Sequence, residues 1–350
     1  VLEEFKKAAN QTGIPSSDDF NRGDNFGVGY FDVNQKDGWR LNTARAFLRP
    51  ASRRPNLTLI TGATVDRLIF DANKRCQSIE FVGGGKTHIA HVNKEVLLSS
   101  GSIGSVQVLE RSGIGQAERL KSLGIDVVHD LPGVGENLQD HLQLRMIYEV
   151  SGIPTLNTKA NSLFGKALIG LEYLLKRSGP MSMAPSQLGV FAYSAPGYER
   201  ANVQYHVQPL SLERFGEPLH KFNAFTASIC NLRPTSRGSV HIRSRDVMDA
   251  PVISPNYLST EEDKRVAAES IRLTRKIVEA DALKSYKPKE YKPGPSYQTD
   301  EDLVKAAGDI GTTIFHPVGT CKMGRDDDPM AVLDSSLRVR GVSGVRVVDA

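Results

Sequence analysis

The amino-acid sequence predicts a mixed α/β protein, and three features carry that prediction. The segment Glu95–Arg111 runs from an apolar strand through a turn of small residues into a helix, which is how a β–α–β unit begins. From residue 143 to residue 311, apolar strands recur at fairly even spacing, as in an antiparallel sheet with helices on one face. A chain of 350 residues, 39% hydrophobic and 24% charged, is large enough for two globular domains.

The first third of the chain leads up to the strand–turn–helix segment. An amphipathic helix start, VLEEFKKAANQTG, is followed by short polar loops and Gly-rich turns. From Leu57 onward the stretches LTLITGATVDRLIF, SIEFV and HIAHVNKEVLLSSG are rich in Val, Ile, Leu and Thr and predict successive strands. The last strand continues through Ser100–Gly104 into a helix over Ser105–Arg111. Such a helix N-terminus can face a phosphate, although Gly101 and Gly104 lack the G-x-G-x-x-G spacing.

The remaining elements are mostly strands. They are predicted at Ile125–Val128, Val203–Leu210, Ala224–Leu232 and Ser239–Ile242, with helices over Ser162–Arg177 and Thr260–Ala280. The first of these helices carries one apolar stripe, and we interpret it as a helix packed on the core rather than one lying on a membrane surface. No apolar run reaches the length of a membrane span.

Charge and cysteine content exclude several classes of protein. The net charge is only +4, and basic residues are interspersed with acidic ones, so we expect no nucleic-acid partner. Three cysteines far apart, Cys76, Cys230 and Cys321, argue against a disulfide framework and suit a reducing compartment. Without a clustered His/Cys ligand set, no metal site is expected. We therefore predict a cytoplasmic protein, and peripheral association with the inner membrane is left open.

The stretch TIFHPVGTCKMG, residues 313–324, contains the main candidate for chemistry. His316 precedes a proline, so a turn histidine without chemistry, a catalytic base and half of a metal site with Cys321 are alternatives. Asp140 and His141 are neighbours, and the side chains of neighbouring residues usually point apart. His241, in a predicted strand, could line a pocket or be hydrogen-bonded in the core. Residue chemistry alone leaves these alternatives open.

Several stretches together resemble conserved blocks of the glucose–methanol–choline oxidoreductases, which are FAD-dependent alcohol oxidases and dehydrogenases. They are GSIGSVQVLERSGIG (101–115), LPGVGENLQDH (131–141), SRGSVHIRSRD (236–246), HPVGTCKMG (316–324) and GVSGVRVVDA (341–350). Their order and spacing cover almost the whole chain and are most similar to the choline-dehydrogenase-like branch. Val106 stands where the signature usually has Pro or Ser, at a helix start where proline is favoured but not required.

The resemblance implies an FAD-binding doubly wound domain, here incomplete, with an inserted antiparallel-sheet substrate domain. Residues 1–55 would form loops between the domains and near the substrate, 56–142 part of the FAD-binding domain, 143–315 the substrate-binding domain, and 316–350 the catalytic histidine segment and the return to the FAD-binding domain. Family members begin with a strand–GxGxxG–helix, which these residues lack, and continue past the position of Ala350 into a loop with a second His or Asn. We therefore expect a fragment of a longer enzyme.

The resemblance also assigns roles to individual residues. In the family, the histidine of the H-P-x-G-T block is the base toward the alcohol hydroxyl while hydride leaves for flavin N5, and His316 matches that position. An imidazole titrates near neutral pH, which suits this role. The implied FAD contacts are Val65 at the adenine, Ser100, Gly101 and Ser102 along the adenosine half, and Asp349 and Ala350 near the pyrophosphate and ribityl chain.

The substrate is expected to be a small alcohol. Choline dehydrogenases carry an acidic residue where this chain reads SQLGVF, with Gln187 in the acidic place, which favours an uncharged primary alcohol over a quaternary ammonium. Phe191, and nearby Met181, Met183 and Tyr193, could line such a pocket or pack in the core. The predicted reaction is FAD-dependent oxidation to an aldehyde. Choline dehydrogenase or oxidase proper, a hydroxynitrile-lyase type and an inactive fragment remain alternatives, with oxygen or a quinone as the acceptor.

Overall fold

Residues 1–184, 186–214 and 216–350 are described by a computed structural model. The chain divides into two units, each combining helices with strands, so the predicted mixed α/β class is confirmed. Unit 1 comprises Val1–Leu57, His141–Pro234 and Thr260–Ile314, and unit 2 comprises Thr58–Asp140, Thr235–Ser259 and Phe315–Ala350.

The secondary-structure elements of the described residues are as follows. The α-helices are α1 (Leu2–Gln11), α2 (Arg49–Ala51), α3 (Gly101–Arg111), α4 (Ala117–Ser122), α5 (Leu156–Asn161), α6 (Leu163–Lys176), α7 (Glu261–Val278), α8 (Asp281–Lys284) and α9 (Asp300–Ile310), with a π-helix at Ala44–Leu48 and a 3₁₀ turn at Pro180–Ser182. The strands are β1 (Gly27–Tyr30), β2 (Gln35–Lys36), β3 (Trp39–Arg40), β4 (Ala63–Phe70), β5 (Cys76–Gly83), β6 (Lys86–His91), β7 (Val96–Leu98), β8 (Ile114–Gly115), β9 (His129–Asp130), β10 (Leu142–Glu149), β11 (Leu188–Ala192), β12 (Val203–Gln208), β13 (Ala224–Asn231), β14 (Ser239–His241), β15 (Val252–Ser254), β16 (Lys289–Lys292), β17 (Gly311–Thr313) and β18 (Val345–Val347).

Unit 1 is built on a seven-stranded antiparallel sheet. The strand order is β1-β11-β12-β13-β10-β16, and β17 also pairs with β10. Phe225 of β13 stacks on Tyr148 of β10 and meets Phe5 of α1 edge-on, with centroids 5.4 and 5.9 Å apart. Tyr205 of β12 hydrogen-bonds to Thr274 of α7 through their hydroxyl oxygens at 3.0 Å. Helices α1 and α7 therefore cover the sheet through aromatic contacts and one buried polar pair, and the expected antiparallel sheet is confirmed.

Helix α6 differs from its interpretation as a core helix. Ser162 Oγ accepts a hydrogen bond from the Gly165 N–H at 2.9 Å, which caps the helix start. Arg177, with φ of 54°, ends it in the left-handed region. None of the residues of α6 is buried, and Leu163 is 87% exposed. The interpretation as a helix packed on the core is therefore wrong, because its apolar stripe lies on the surface of the described structure.

Membrane-spanning capacity can also be assessed from the helices. Within the described residues, no helix combines the length and the apolar character that crossing a membrane requires. The most apolar exposed helix, α6, has 14 residues, which is shorter than the roughly 20 residues that a span needs.

Unit 2 contains the predicted strand–turn–helix. Strand β7 leads into α3, and β18 pairs with β7 in parallel, with Val345 opposite Val96. The antiparallel sheet β4-β5-β6 shares a hydrophobic core with these elements, which includes Leu68, Leu98, Val106, Leu109 and Val347. Helix α3 begins at Gly101, four residues earlier than expected. Gly101 has φ of 79°, a left-handed conformation that glycine adopts without steric cost and that lets the chain turn sharply after the strand.

Two expectations differ from the structure of unit 2. Ile125–Val128 is not a strand; the short parallel pair is β8 with β9, because the Gly113 carbonyl accepts from both Val128 and His129 N–H groups. Residues 235–259, expected within the substrate domain 143–315, belong to unit 2. Hydrogen bonds of this segment, including the Val240 N–H to the Gly135 carbonyl at 2.8 Å, attach it to the turn before Asp140.

The core of unit 2 can be tested with a matched pair of substitutions. Leu109 is fully buried, so Leu109→Ala should lower the free energy of unfolding by roughly 2–5 kcal/mol through lost burial and a residual cavity. The same change at the exposed Leu163 should alter it by less than about 0.5 kcal/mol. Urea unfolding followed by circular dichroism measures both variants. Similar losses for the two variants would contradict the described core.

Candidate active site

Two predicted cofactor-contact segments meet at one edge of unit 2. Parallel strands end at the same edge of a sheet, so the residues that follow β7 and β18 lie close together. The Gly101 N–H donates to Asp349 Oδ1 at 3.0 Å, and Ser105 Oγ donates to Asp349 Oδ2. The Gly319 N–H donates to the Ala350 carbonyl at 3.4 Å, which attaches the loop after His316 to the same edge. The exposed residues of this edge include Ser100, Gly101, Asp349 and Ala350.

Asp349 changes the electrostatics of the α3 N-terminus. Its carboxylate accepts from the first N–H of the helix and from a hydroxyl of the first turn, as a capping acid does. A negative charge therefore already occupies the helix end that could have faced a phosphate. The geometry argues against a phosphate at this turn and favours ligand groups that donate hydrogen bonds, such as sugar hydroxyls.

The segment that carries the candidate histidine is tied to the turn at the start of α3. Ser102 Oγ donates to the Pro317 carbonyl at 2.6 Å, and Thr320 Oγ1 donates to the Ser102 carbonyl. Ser102 and Thr320 are both buried, so these bonds are shielded from water. His316 lies one residue before Pro317, and its side chain is at the surface of the described structure. The structure thus brings the His316 segment to the Ser100–Ser102 turn.

Asp140 fixes the backbone at the candidate histidine. The His316 N–H donates to Asp140 Oδ1 at 3.0 Å, and the Tyr257 hydroxyl donates to Asp140 Oδ2. Asp140 is buried, and the residue before the histidine, Phe315, has φ of 63°, a left-handed conformation that non-glycine residues rarely adopt. Sequence reasoning considered Asp140 only as a neighbour of His141. No local pattern could have paired it with a residue 176 positions away.

The segment before Asp140 runs alongside the histidine loop. Gln139 and Val318 exchange backbone hydrogen bonds of 2.9 and 2.8 Å. Asn137 Nδ2 donates to the Gly319 carbonyl at 3.0 Å, and the Gly135 N–H donates to the Thr320 carbonyl at 3.0 Å. The LPGVGENLQDH stretch is therefore the backbone support for the loop after His316.

Val65 is not joined to this edge by its hydrogen bonds. Its carbonyl accepts from Arg111 Nη2 at 3.4 Å, and Arg111 is the last residue of α3, whereas Gly101 is the first. Arg111 is largely buried and also forms an ion pair with Asp66 at 3.0 Å. The assignment of Val65 to an adenine contact stays a prediction.

Gln187 and Phe191, the predicted substrate-pocket residues, lie in unit 1. The Gln187 carbonyl accepts from the Phe31 N–H at 2.9 Å. Phe191 packs with Phe20 and Phe31 at centroid distances of 4.9 and 6.4 Å. Phe191 therefore belongs to an aromatic cluster, whereas Met181 and Met183 line a separate cavity of the same unit.

Cys321 is a free, partly buried cysteine in the loop after His316. Burial, together with the nearby charges of Asp349 and Glu110, raises the pKa of the Cys321 thiol to about 12. Among the described residues, no group of three or more His, Cys, Asp and Glu side chains could hold a metal ion. Within the described residues, His316 and Cys321 therefore belong to no such group of side chains.

His241 is hydrogen-bonded in the core rather than lining a pocket. Its Nδ1 lies 2.7 Å from Glu110 Oε1 and its Nε2 lies 3.0 Å from Glu136 Oε1. Burial alone lowers the pKa of His241, but the hydrogen bonds to Glu110 and Glu136 and the charge of Glu110 raise it above its ordinary value. Both ring nitrogens can donate only in the protonated form. The His241 ring joins α3 to the segment that supports the histidine loop.

Comparison with known proteins places the chain in a family. Models of the GMC oxidoreductase family match residues 1–143 and 234–350. The chain belongs to the GMC oxidoreductase family. Both matches include candidate-site segments, since the first contains the Ser100–Ser102 turn and Asp140 and the second contains His316.

Individual relatives of this GMC oxidoreductase are similar over its whole length. It is 41% identical to the oxygen-dependent choline dehydrogenases of Citrobacter koseri and Pseudomonas putida, with 98% of this chain and 62% and 61% of those proteins aligned. The crystal structure of pyridoxine 4-oxidase from Mesorbium loti superposes with a TM-score of 0.86 at 28% identity, covering 100% of this chain and 64% of that one. The chain thus spans about three fifths of the curated relatives that it matches.

The charge state of His241 predicts a pH dependence of stability. Because its folded-state pKa is raised, the stability that His241 contributes should be complete below about pH 6.5 and should be lost as the pH rises through the folded-state pKa. In Glu136→Gln, the amide can donate to a neutral imidazole, so this alkaline loss should shrink. Thermal unfolding between about pH 6 and pH 9 measures it.

A matched control separates this effect from general charge changes. Glu118→Gln alters an exposed carboxylate of α4 that pairs with the exposed Lys121, and it should keep the parent pH dependence. Parallel pH profiles for the parent, Glu136→Gln and Glu118→Gln would contradict a protonated His241.

Proposed function

We propose that this protein is an FAD-dependent oxidoreductase that oxidises the CH–OH group of a primary alcohol to an aldehyde. Membership of the GMC oxidoreductase family and 41% identity to choline dehydrogenases support the proposal. The observation that carries it is the meeting of three separated segments at one edge of unit 2. They are the Ser100–Ser102 turn, the strand end at Asp349–Ala350 and the His316 segment.

The residues at this edge fit a nucleotide cofactor with sugar hydroxyls. Asp349 is exposed, and each carboxylate oxygen can accept a second hydrogen bond besides the one it receives from the protein. A Cβ at Gly101 would meet no atom within 4 Å, so the turn is open to a ligand. We propose that Ser100, Gly101 and Ser102 lie along the adenosine half and that Asp349 and Ala350 lie near the ribityl chain. Val65 would contact the adenine through its backbone.

His316 is the proposed base. Its imidazole would accept the proton of the alcohol hydroxyl, which raises the electron density on oxygen and weakens the adjacent C–H bond. Asp140 would hold the histidine backbone through the hydrogen bond to its N–H while leaving the imidazole exposed. When bound, the flavin supplies the acceptor for the hydride. The side chain of His316 would therefore accept the proton, and the contacts of its backbone would position the imidazole for that transfer.

The substrate and the final electron acceptor belong to the same proposal. Gln187 in place of an acidic residue favours an uncharged primary alcohol. The identity to choline dehydrogenases supports choline as the second candidate. Comparing the rate of flavin reduction by choline with that by an uncharged alcohol of similar size, such as neohexanol, distinguishes the two. Oxygen or a quinone would reoxidise the flavin.

His316→Gln tests the base. The amide cannot take the hydroxyl proton, so anaerobic reduction of the bound flavin by an alcohol should slow by roughly 10²–10⁴-fold. Stopped-flow absorbance of the flavin band measures the rate, and the flavin content of each variant is measured beside it. His91→Gln, an exposed histidine in β6, is the control and should react like the parent. A parent rate in His316→Gln with full flavin content would exclude this role.

Asp140→Ala tests the positioning of the histidine. Without the carboxylate, the His316 N–H and the Tyr257 hydroxyl lose their acceptor, so flavin reduction should slow by roughly ten- to a hundredfold while flavin is retained. Asp140→Asn keeps one oxygen for the His316 N–H and should restore part of the rate. If Asn and Ala variants were equally slow, or if Ala reacted at the parent rate, the positioning role would be wrong.

A further inference from the structure

A cavity of 640 Å³ lies within unit 1. None of the residues that line it takes part in the proposed catalytic edge. Its size falls within the roughly 300–1,000 Å³ of small-molecule sites. The hairpin β2–β3, the π-helix, helix α6 and the segment 181–184 contribute its walls. The lining residues that matter here are Trp39, Arg40, Arg45, Tyr173, Met181 and Met183.

Trp39 is held by two cations. The guanidinium carbons of Arg45 and Arg177 lie over its ring, 5.0 and 4.5 Å from the centroid. Tyr173 meets the indole edge-on at 6.4 Å, and its hydroxyl donates to the Gly38 carbonyl at 3.1 Å. The faces of the indole are therefore already engaged, and they do not form a cage for a quaternary ammonium.

The charge of the cavity wall has one sign. Among its described lining residues, Arg40 and Arg45 are charged and no Asp or Glu is present. Neither arginine forms an ion pair with a carboxylate of the described residues, and Arg45 Nη1 donates to the Arg40 backbone carbonyl at 3.4 Å. Two guanidinium groups without an ion pair among the described residues bring positive charge to the recess. The wall should repel choline-like cations and attract anions.

The rest of the wall sets the shape of the ligand. Met181 and Met183 are flexible apolar side chains that adapt to an irregular or aromatic body. Met183 Sδ is held 3.8 Å from Gln35 Nε2, and Gln35 Oε1 accepts from the Gly38 N–H at 2.9 Å. The side chain of Gln35 is thus occupied by the hairpin. The guanidinium groups remain the strongest donors toward a ligand, and their planar fork matches a carboxylate.

We propose that this cavity binds a small organic carboxylate with an aromatic or aliphatic body, held by Arg40 and Arg45 and packed against Met181, Met183 and the edge of Trp39. The proposed binding involves none of the residues of the proposed catalytic edge. Its test therefore needs neither flavin nor turnover, and the failure of one proposal leaves the other standing.

Trp39 gives the site its own reporter, because it is the one tryptophan in these 350 residues. Its emission is followed during titration of the protein with phenylacetate, with the uncharged phenylacetamide of the same shape, and with choline. Phenylacetate should cause a saturable change that weakens as salt is added, since the attraction is electrostatic. Phenylacetamide should bind at least about tenfold more weakly, and choline should cause no saturable change.

Arginine variants locate the site. Arg45→Gln should raise the phenylacetate concentration for half-maximal change by about tenfold, since a charge-assisted bond is lost. Arg40→Gln should also weaken binding, and it leaves both cations over Trp39 in place. Arg49→Gln, just outside the lining, is the matched control and should bind as the parent does.

Three results would overturn the assignment. They are a parent protein without a saturable response to phenylacetate, equal affinities for phenylacetate and phenylacetamide, and both lining variants binding like the parent. Tighter binding of choline than of phenylacetate would show that the cavity selects cations. Circular dichroism of each variant shows whether a lost response reflects loss of the fold.

Discussion

The parallel pairing of β7 with β18 is the constraint on which the candidate site depends. It joins residues 96–98 to residues 345–347, and so it delivers the Ser100–Ser102 turn and the strand end at Asp349 to one edge. Asp349 then accepts from the Gly101 N–H and the Ser105 hydroxyl, which fixes the start of α3 to the end of β18. The Ser102 hydroxyl, which donates to the Pro317 carbonyl, lies in the turn that this pairing positions.

The His316 segment is supported from two sides of unit 2. Residues 135–140 form several hydrogen bonds with its backbone. The buried carboxylate of Asp140 also accepts a hydrogen bond from the His316 N–H. That support is itself joined to α3 by His241, which lies between Glu110 and Glu136. A buried carboxylate is costly unless it is paired, and the fully buried Glu110 is paired with His241 and also accepts from the Ile242 N–H, while Glu136 is partly exposed. A charge pair in the core thus stabilises an exposed site.

The candidate site of unit 2 and the cavity of unit 1 differ in the charged groups that surround them. In unit 2, the carboxylates near the site are hydrogen-bonded by backbone, hydroxyl or imidazole donors. In unit 1, the cavity beside Trp39 has guanidinium groups and no carboxylate among its described lining residues. The first pattern fixes the backbone around the candidate site, and the second is the basis of the proposed carboxylate binding.

The sequence by itself determined the features whose signals are local. Strand–turn–helix spacing predicted β7 and α3, because it depends on residues a few positions apart. Residue chemistry left the role of His316 open, and the family resemblance of the H-P-V-G-T block made it the candidate base. The tertiary structure decided what distant residues do. Asp349 caps a helix 248 positions earlier, Asp140 holds His316, and residues 235–259 join unit 2. Periodicity also could not predict that the apolar stripe of α6 is exposed. An amphipathic pattern shows which side of a helix is apolar, but it does not show whether another part of the protein covers that side.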